Sequence, residues 1–251
     1  MPSMETNDLL RRAEDLRQRC ERSGSVTATP FLTPAEQREL ERRILSREEA
    51  SLCFSGGAPD CERRRAFFLP WYLSEADLDV GDAIRCVEFH SFFGQPEHRD
   101  YLGAALGLGI RREWLGDIRR REDRCWIFCL PTVADTLLTL DRVGRITVRA
   151  VPCPLSAVPA EEVRVQTLTF TVQSLRLDAV TAGMFRLSRT AAAEQIRLGL
   201  VRLNDAPCLR TDAPVDEGDV ISLRGRGKGS VTAVGGRSRK DRLFVTAQRR
   251  L

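Results

Sequence analysis

The sequence predicts an α+β protein in three parts: N-terminal helices, a ferredoxin-like (βαββαβ) middle domain, and a small C-terminal domain of two short helices with strands. Three observations lead there. Apolar residues near the N-terminus recur at helical spacing. Strand-like and helix-like segments alternate between residues 65 and 154. A proline-rich stretch at residues 151–159 then precedes a segment with a different charge balance.

Helical spacing is clearest at the start. Leu9, Ala13, Leu16 and Cys20 fall three and four residues apart and make one apolar stripe. Residues 24–30 read as a loop. Thr33-Pro34-Ala35-Glu36 has the chemistry of a helix start: Thr33 as N-cap, Pro34 at the first helical position, Glu36 closing a capping box. Leu40 and Ile44 continue that helix. Residues 46–49 suggest a further short turn, and Ser55-Gly56-Gly57-Ala58-Pro59 breaks the pattern. No Gly-Lys-Ser/Thr follows Gly56-Gly57, so the pair reads as a turn and not a phosphate cradle. Residues 1–64 are assigned to a helical N-terminal region.

Residues 65–154 are assigned to the ferredoxin-like domain. Residues 66–73 are rich in aromatic side chains, and residues 83–90 alternate through Ile84, Cys86, Val87 and Phe89; both suit strands. Residues 99–110 read as a helix capped at its C-terminus by Gly109. Residues 114–119 and 125–130 are two strands around an Arg-Glu-Asp-Arg turn. Residues 132–143 are amphipathic through Val133, Leu137, Leu138 and Val143, and residues 146–151 return to strand. Strand-helix-strand-strand-helix-strand is the split βαβ pattern. The prolines that follow favour extended backbone, and residues 155–170 are assigned to a linker.

Residues 171–251 make the last domain. Residues 175–185 form a short helix with Leu177, Val180 and Met184 on one face. Ser188 is the N-cap of a second helix that Ala191, Ala192, Gln195 and Ile196 carry to Gly199. Residues 200–203 are a strand, Asn204-Asp205 a tight hairpin turn, Asp216-Glu217-Gly218-Asp219 a second turn and residues 220–223 a second strand.

Composition excludes several classes. With 42% hydrophobic and 29% charged residues the chain is ordinary for a soluble globular protein. Its apolar runs are broken by Arg, Asp or Gly, which excludes a membrane-spanning helix. Glu5 and Asp8 stand where a secretory leader would be basic then apolar, so a cytoplasmic location is expected; separately, a monomer is expected. The 8 cysteines include no Cys-x-x-Cys pair, and the 2 histidines (His90, His98) do not complete a zinc set. No metal and no cofactor are expected; the thiols, including Cys125 and Cys129 on one strand face, read as reduced and mostly buried.

The net charge is only +4, yet residues 172–251 hold 15 Lys+Arg against 8 Asp+Glu, leaving 24 against 27 in the remainder. A basic module on a slightly acidic body is an electrostatic footprint for a polyanion. A helix N-terminus presents unpaired N–H groups to a phosphate, and Ser188 and Arg189 stand at one. Arg176 opens the preceding helix and is placed to approach the same surface. Arg224, Arg226 and Lys228 alternate with Gly225 and Gly227, and Arg237, Arg239, Lys240 and Arg242 extend the charge.

Ser174-Leu175-Arg176-Leu177-Asp178, Ser188-Arg189-Thr190-Ala191, residues 196–204 (IRLGLVRLN) and residues 217–222 (EGDVIS) resemble the αL RNA-binding domain of ribosomal protein S-four. Asp205 departs from that module, where Gly commonly follows Asn. Adding residues 98–117 (HRDYLGAALGLGIRREWLGD), residues 171–178 (TVQSLRLD) and Gly225-Arg226-Gly227-Lys228, the chain resembles the bacterial YlmH family from Phe31 onward. The resemblance implies a non-catalytic protein binding structured RNA (rRNA, tRNA) on the large ribosomal subunit, in rescue of stalled nascent chains, where it stabilises peptidyl-tRNA during C-terminal tailing. The expected RNA-binding residues are Arg176, Ser188, Arg189, Arg197, Arg202, Asn204, Arg224, Arg226, Lys228, Arg237, Arg239 and Lys240.

Other readings are weaker. His98-Arg99-Asp100 mimics a kinase catalytic loop but lacks the Gly-rich loop, strand Lys and Asp-Phe-Gly; His98 and Asp100 are expected to cap a helix and Arg99 to pair with an acid. Arg176-Leu177-Asp178 resembles a pseudouridine-synthase motif, but in those enzymes the αL domain precedes the catalytic domain. Asp178 is expected to cap or orient Arg176. The alternatives retained are an RNA-modifying enzyme and an adaptor whose N-terminal region recruits a rescue or cell-division protein. Trp71, Tyr72, Phe92 and Phe93 are candidates for base stacking, although strand aromatics are more often core.

Overall fold

The computed structural model describes residues 4–44, 51–160 and 165–250, and the chain divides into two compact units, residues 1–161 and 162–251. Among the described residues no helix is long and apolar enough to cross a membrane, and no group of three or more His, Cys, Asp or Glu is placed to hold a metal ion.

In the first unit, helices α1 (Met4–Ser23) and α2 (Pro34–Ile44) pack on a three-stranded antiparallel sheet of β1 (Thr27–Leu32), β2 (Ser51–Ser55) and β3 (Arg64–Leu69), in the order β1-β3-β2. The expected stripe on α1 is buried: Ala13 and Cys20 join Leu32, Leu40, Ala66 and Phe68 in one cluster, with Leu9 and Leu16 against it. The capping box forms as read, with the Thr33 N–H and hydroxyl each donating to Glu36 at 2.7 Å. The N-terminal region is not purely helical, however. Residues 27–30, read as loop, belong with Phe31 and Leu32 to an edge strand whose irregular register between Ala28 and Phe31 accommodates Pro30. Residues 66–69, assigned to the middle domain, are the central strand of this small sheet. The turn expected at residues 46–49 lies outside the described residues.

The same unit continues with β4 (Arg85–Ser91), α3 (His98–Gly107), β5 (Leu115–Arg121), β6 (Arg124–Cys129), α4 (Pro131–Leu138), β7 (Arg142–Val143) and β8 (Ile146–Cys153). The sheet order β5-β6-β4-β8-β7 is antiparallel throughout, which gives the βαββαβ pattern with β4 as its first strand. One face carries the helices: Val87, Phe89, Ile118 and Ile127 pack with Tyr101, Ala105, Val133 and Leu137. On the other face Cys86, Trp126, Phe128 and Cys153 pack with Phe31, Cys53 and Phe67 of the small sheet. The helix read over residues 132–143 stops at Leu138, and Arg142–Val143 forms a short strand. Asp100 accepts from the N–H of Glu97 at 2.8 Å, so Glu97 and not His98 is the cap, and Arg99 pairs with Glu97 at 3.0 Å.

The second unit comprises β9 (Val165–Val172), α5 (Leu177–Phe185), α6 (Arg189–Arg197), β10 (Val201–Leu203), β11 (Ala206–Pro207), β12 (Val220–Leu223), β13 (Gly227–Arg237) and β14 (Leu243–Arg250), with sheet order β11-β10-β12-β13-β14-β9. Leu177, Val180, Met184, Phe185 and Ile196 of the helices meet Val201, Ile221, Leu223, Val231 and Val245 of the sheet. One reading is corrected. Residues 165–170, assigned to the linker, are a strand paired along its length with β14; a Cβ on Gly183 of α5 would come within 2.2 Å of the Phe170 ring, so strand and helix are in close contact. Residues 237–242 form the end and turn of the β13–β14 hairpin.

Candidate nucleic-acid interface

Asp178 organises the site. It lies in the first turn of α5 and its side chain is only 7% exposed. Arg176, the N-cap residue of α5, places Nε and Nη2 on the two carboxylate oxygens at 3.3 and 3.2 Å; Arg189, the first residue of α6, does the same at 3.2 and 3.3 Å. Burial opposes ionisation of Asp178, but the hydrogen bonds and charges of both guanidiniums outweigh it and hold the carboxyl below its ordinary range. Each guanidinium uses one edge inward and keeps Nη1 for an outside acceptor, with side-chain exposures of 39% and 53%. One negative charge holds two positive ones, so the cluster keeps a net positive charge in a fixed geometry. Ser188 completes it as N-cap of α6, accepting from the N–H of Ala191 at 3.1 Å.

The expected residues fall into groups. Arg189, Arg237 and Lys240 line one hollow of about 820 Å³ with Gln173, Asp241 and Arg242, which joins the start of α6 to the β13–β14 turn. Arg237 pairs with Asp241 at 2.8 Å, and Arg242 donates to the Thr171 carbonyl at 2.8 Å. Arg239 is exposed in the same turn. Arg202 and Lys228 are both register partners of Ser222 and so share the sheet face away from the core, with Lys228 on Asp205 at 3.2 Å. Arg197 and Arg224 are exposed at the ends of α6 and β12, and Arg226 reaches toward the Phe185 carbonyl at 3.5 Å. Asn204 is part of the framework: its amide donates to Asp219 at 2.7 Å and accepts from the Val220 N–H at 2.9 Å, and both Asn204 and Asp205 have positive φ, as the tight turn requires. The residue missing from the expected set is Arg242, already marked by its place in the basic run.

Residues 77–157 match the family model "Putative RNA-binding domain in YlmH". The chain is 34% identical over 222 residues to "Ribosome-associated protein quality control protein P2" of Bacillus subtilis (strain 168), covering 88% of this chain and 86% of that protein. The chain belongs to the YlmH family. Its fold is also similar to the solved structure "Cell division protein ylmH from Streptococcus pneumoniae", with a TM-score of 0.53 and 23% identity over 62% of this chain and 95% of that one.

Proposed function

We propose that this YlmH-family protein is a non-catalytic, cytoplasmic RNA-binding factor that holds rRNA or tRNA on the large ribosomal subunit and stabilises peptidyl-tRNA during C-terminal tailing of stalled nascent chains. The observation that carries the reading is the Arg176–Asp178–Arg189 cluster at the start of α6. Two guanidiniums fixed by one buried carboxylate are ready to grip phosphate oxygens in two-pronged fashion, beside the N–H groups of a helix N-terminus. The name of the B. subtilis relative supports the ribosomal setting, and the sequence likeness to the αL domain supports the choice of surface. Against catalysis by Asp178, both its oxygens are already held by arginines.

The test is co-sedimentation of the full chain with large ribosomal subunits across a salt series. Loss of each guanidinium should cost about 1–3 kcal/mol of binding, and Arg176→Ala with Arg189→Ala should also flatten the salt dependence, since fewer counterions are released. A double variant that sediments as the wild type does at every salt concentration overturns the site.

A further inference from the structure

We propose that the first unit carries its own RNA-contact site, in which Phe92 and Phe93 stack unpaired bases beside Arg124, His90 and Arg149 on the open half of the β4–β6–β8 sheet face; the proposal rests on the RNA-binding reading above and locates a second surface for it.

Four observations meet there. Phe92 and Phe93 are 58% and 85% exposed, which leaves two apolar rings in water on the loop that leaves β4. That loop is held in place. The Ser91 N–H and hydroxyl both donate to the Asp123 carbonyl at 2.8 and 3.0 Å, the Phe92 N–H donates to the Thr147 carbonyl at 3.4 Å, and Pro96 is buried. The rings are therefore displayed at the same end of the sheet as the β5–β6 turn. His90 is the register partner of Arg124 on one side and of Arg149 on the other, so the three side chains form a row on the face opposite α3 and α4. The other half of that face is covered, because Cys86, Trp126 and Phe128 pack under the small sheet.

The charges in and beside that row nearly cancel. Glu88 stands in the next row of the same face, only 13% exposed, 2.9 Å from Arg124 and 3.0 Å from His90. Arg149 adds a further exposed cation, while Glu122 and Asp123 stand in the adjoining turn. With charges this nearly balanced, the surface is no general phosphate sink. The attraction is in the rings, whose faces accept any base, with the guanidiniums for stacking and backbone contact. Every residue named lies inside the segment matched by the family's RNA-binding model. Trp71 is a useful contrast: it is 93% exposed, but its neighbour Tyr72 packs edge-on against it and bonds the Gly24 carbonyl, and it lies outside the matched segment.

The experiment measures binding of the full chain to a short single-stranded oligouridylate and, separately, to large ribosomal subunits, each over a salt series. Phe92→Ala with Phe93→Ala should weaken oligouridylate binding about tenfold or more without changing the salt slope, because no phosphate contact is lost. Arg124→Ala with Arg149→Ala should flatten that slope, and Trp71→Ala should change neither. An unchanged affinity in the Phe double variant overturns the proposal, as does an equal loss in Trp71→Ala. A Phe double variant that keeps RNA binding but loses a ribosomal protein from the sedimented complex also overturns it, in favour of a protein-docking loop. A wild-type chain that binds subunits through Arg176 and Arg189 yet ignores oligouridylate overturns this site alone. One that binds neither probe overturns the reading it rests on.

Discussion

Four internal arginines of the first unit and the arginine pair at the start of α6 are used in opposite ways. In the first unit, Arg63 donates to the carbonyls of Leu115 and Phe31, Arg65 to those of Thr29 and Ala83, and Arg112 to those of Leu115 and Gly116. Arg119 joins Asp60 and the Pro159 carbonyl, with its guanidinium 5.1 Å from the centre of the Phe128 ring. Burial pulls Arg65 and Arg112 down to about 10, still protonated at neutral pH. These cations satisfy backbone oxygens where strands and loops meet. In the second unit Arg176 and Arg189 lean on a buried carboxylate but keep their outer edges in solvent, and Arg197, Arg202, Arg224 and Arg239 are exposed. Counting charge therefore misjudges what a polyanion meets: the first unit is richer in arginine than its surface suggests.

The largest expected effect tests the internal half of that contrast. Arg119 has a side chain only 7% exposed, so Arg119→Ala empties a buried position and removes the bonds to Asp60 and the Pro159 carbonyl, and should destabilise the first unit by about 3 kcal/mol. All 3 tryptophans (Trp71, Trp114, Trp126) belong to that unit, so urea unfolding followed by tryptophan fluorescence reports on it selectively. The midpoint should fall while ribosome binding of the folded chain stays unchanged. A matching loss of binding would break the contrast.

A second substitution tests the other unit without touching charge. A Cβ on Gly183 meets three atoms of the Phe170 ring at 2.2 to 2.7 Å, and Gly183→Ala should cost about 2 kcal/mol through overpacking. Hydrogen exchange in β9 and β14 should accelerate, and the tryptophan transition should not move. If β9 exchanged as fast in the wild type as in the variant, it would be no working part of the second sheet.

Local rules explain what the sequence made legible. The Thr33–Glu36 box, the Ser188 cap and the positive-φ pair Asn204-Asp205 each depend on residues within three positions of one another. So did the βαββαβ order, because its helices and strands keep their own periods. Strand β1 was hidden by Pro30 inside it. Strand β9 was hidden because its alternation follows a proline-rich stretch and its partner, β14, lies at the far end of the chain. The candidate site divides the same way. Arg176 and Asp178 are two residues apart and were linked from sequence, whereas the second clasp by Arg189 is eleven residues away and depends on how α5 meets α6. The internal arginines were invisible for the same reason, since Arg63 reaches a carbonyl 52 residues on.

The smallest expected effect is the most discriminating. Asp178→Asn removes a negative charge from a surface proposed to bind a polyanion, so charge alone predicts tighter binding. If geometry matters more, the loss of the doubly bonded anchor loosens both arginines and binding weakens. We expect the second outcome, about fivefold weaker binding to large ribosomal subunits, corresponding to about 1 kcal/mol, because solvent screening of the half-exposed guanidiniums limits the loss. Stability should follow the ionisation of Asp178. Its native-state pKa is below the unfolded value, so its contribution is fully present above about pH 4 and is lost as pH falls through the lower native value. Wild type should therefore exceed Asp178→Asn in stability at neutral pH, and the two should converge only in strong acid. Convergence already near pH 6 would mean that some other group carries the difference, and tighter binding by Asp178→Asn would mean that charge, not the clasp, governs this surface.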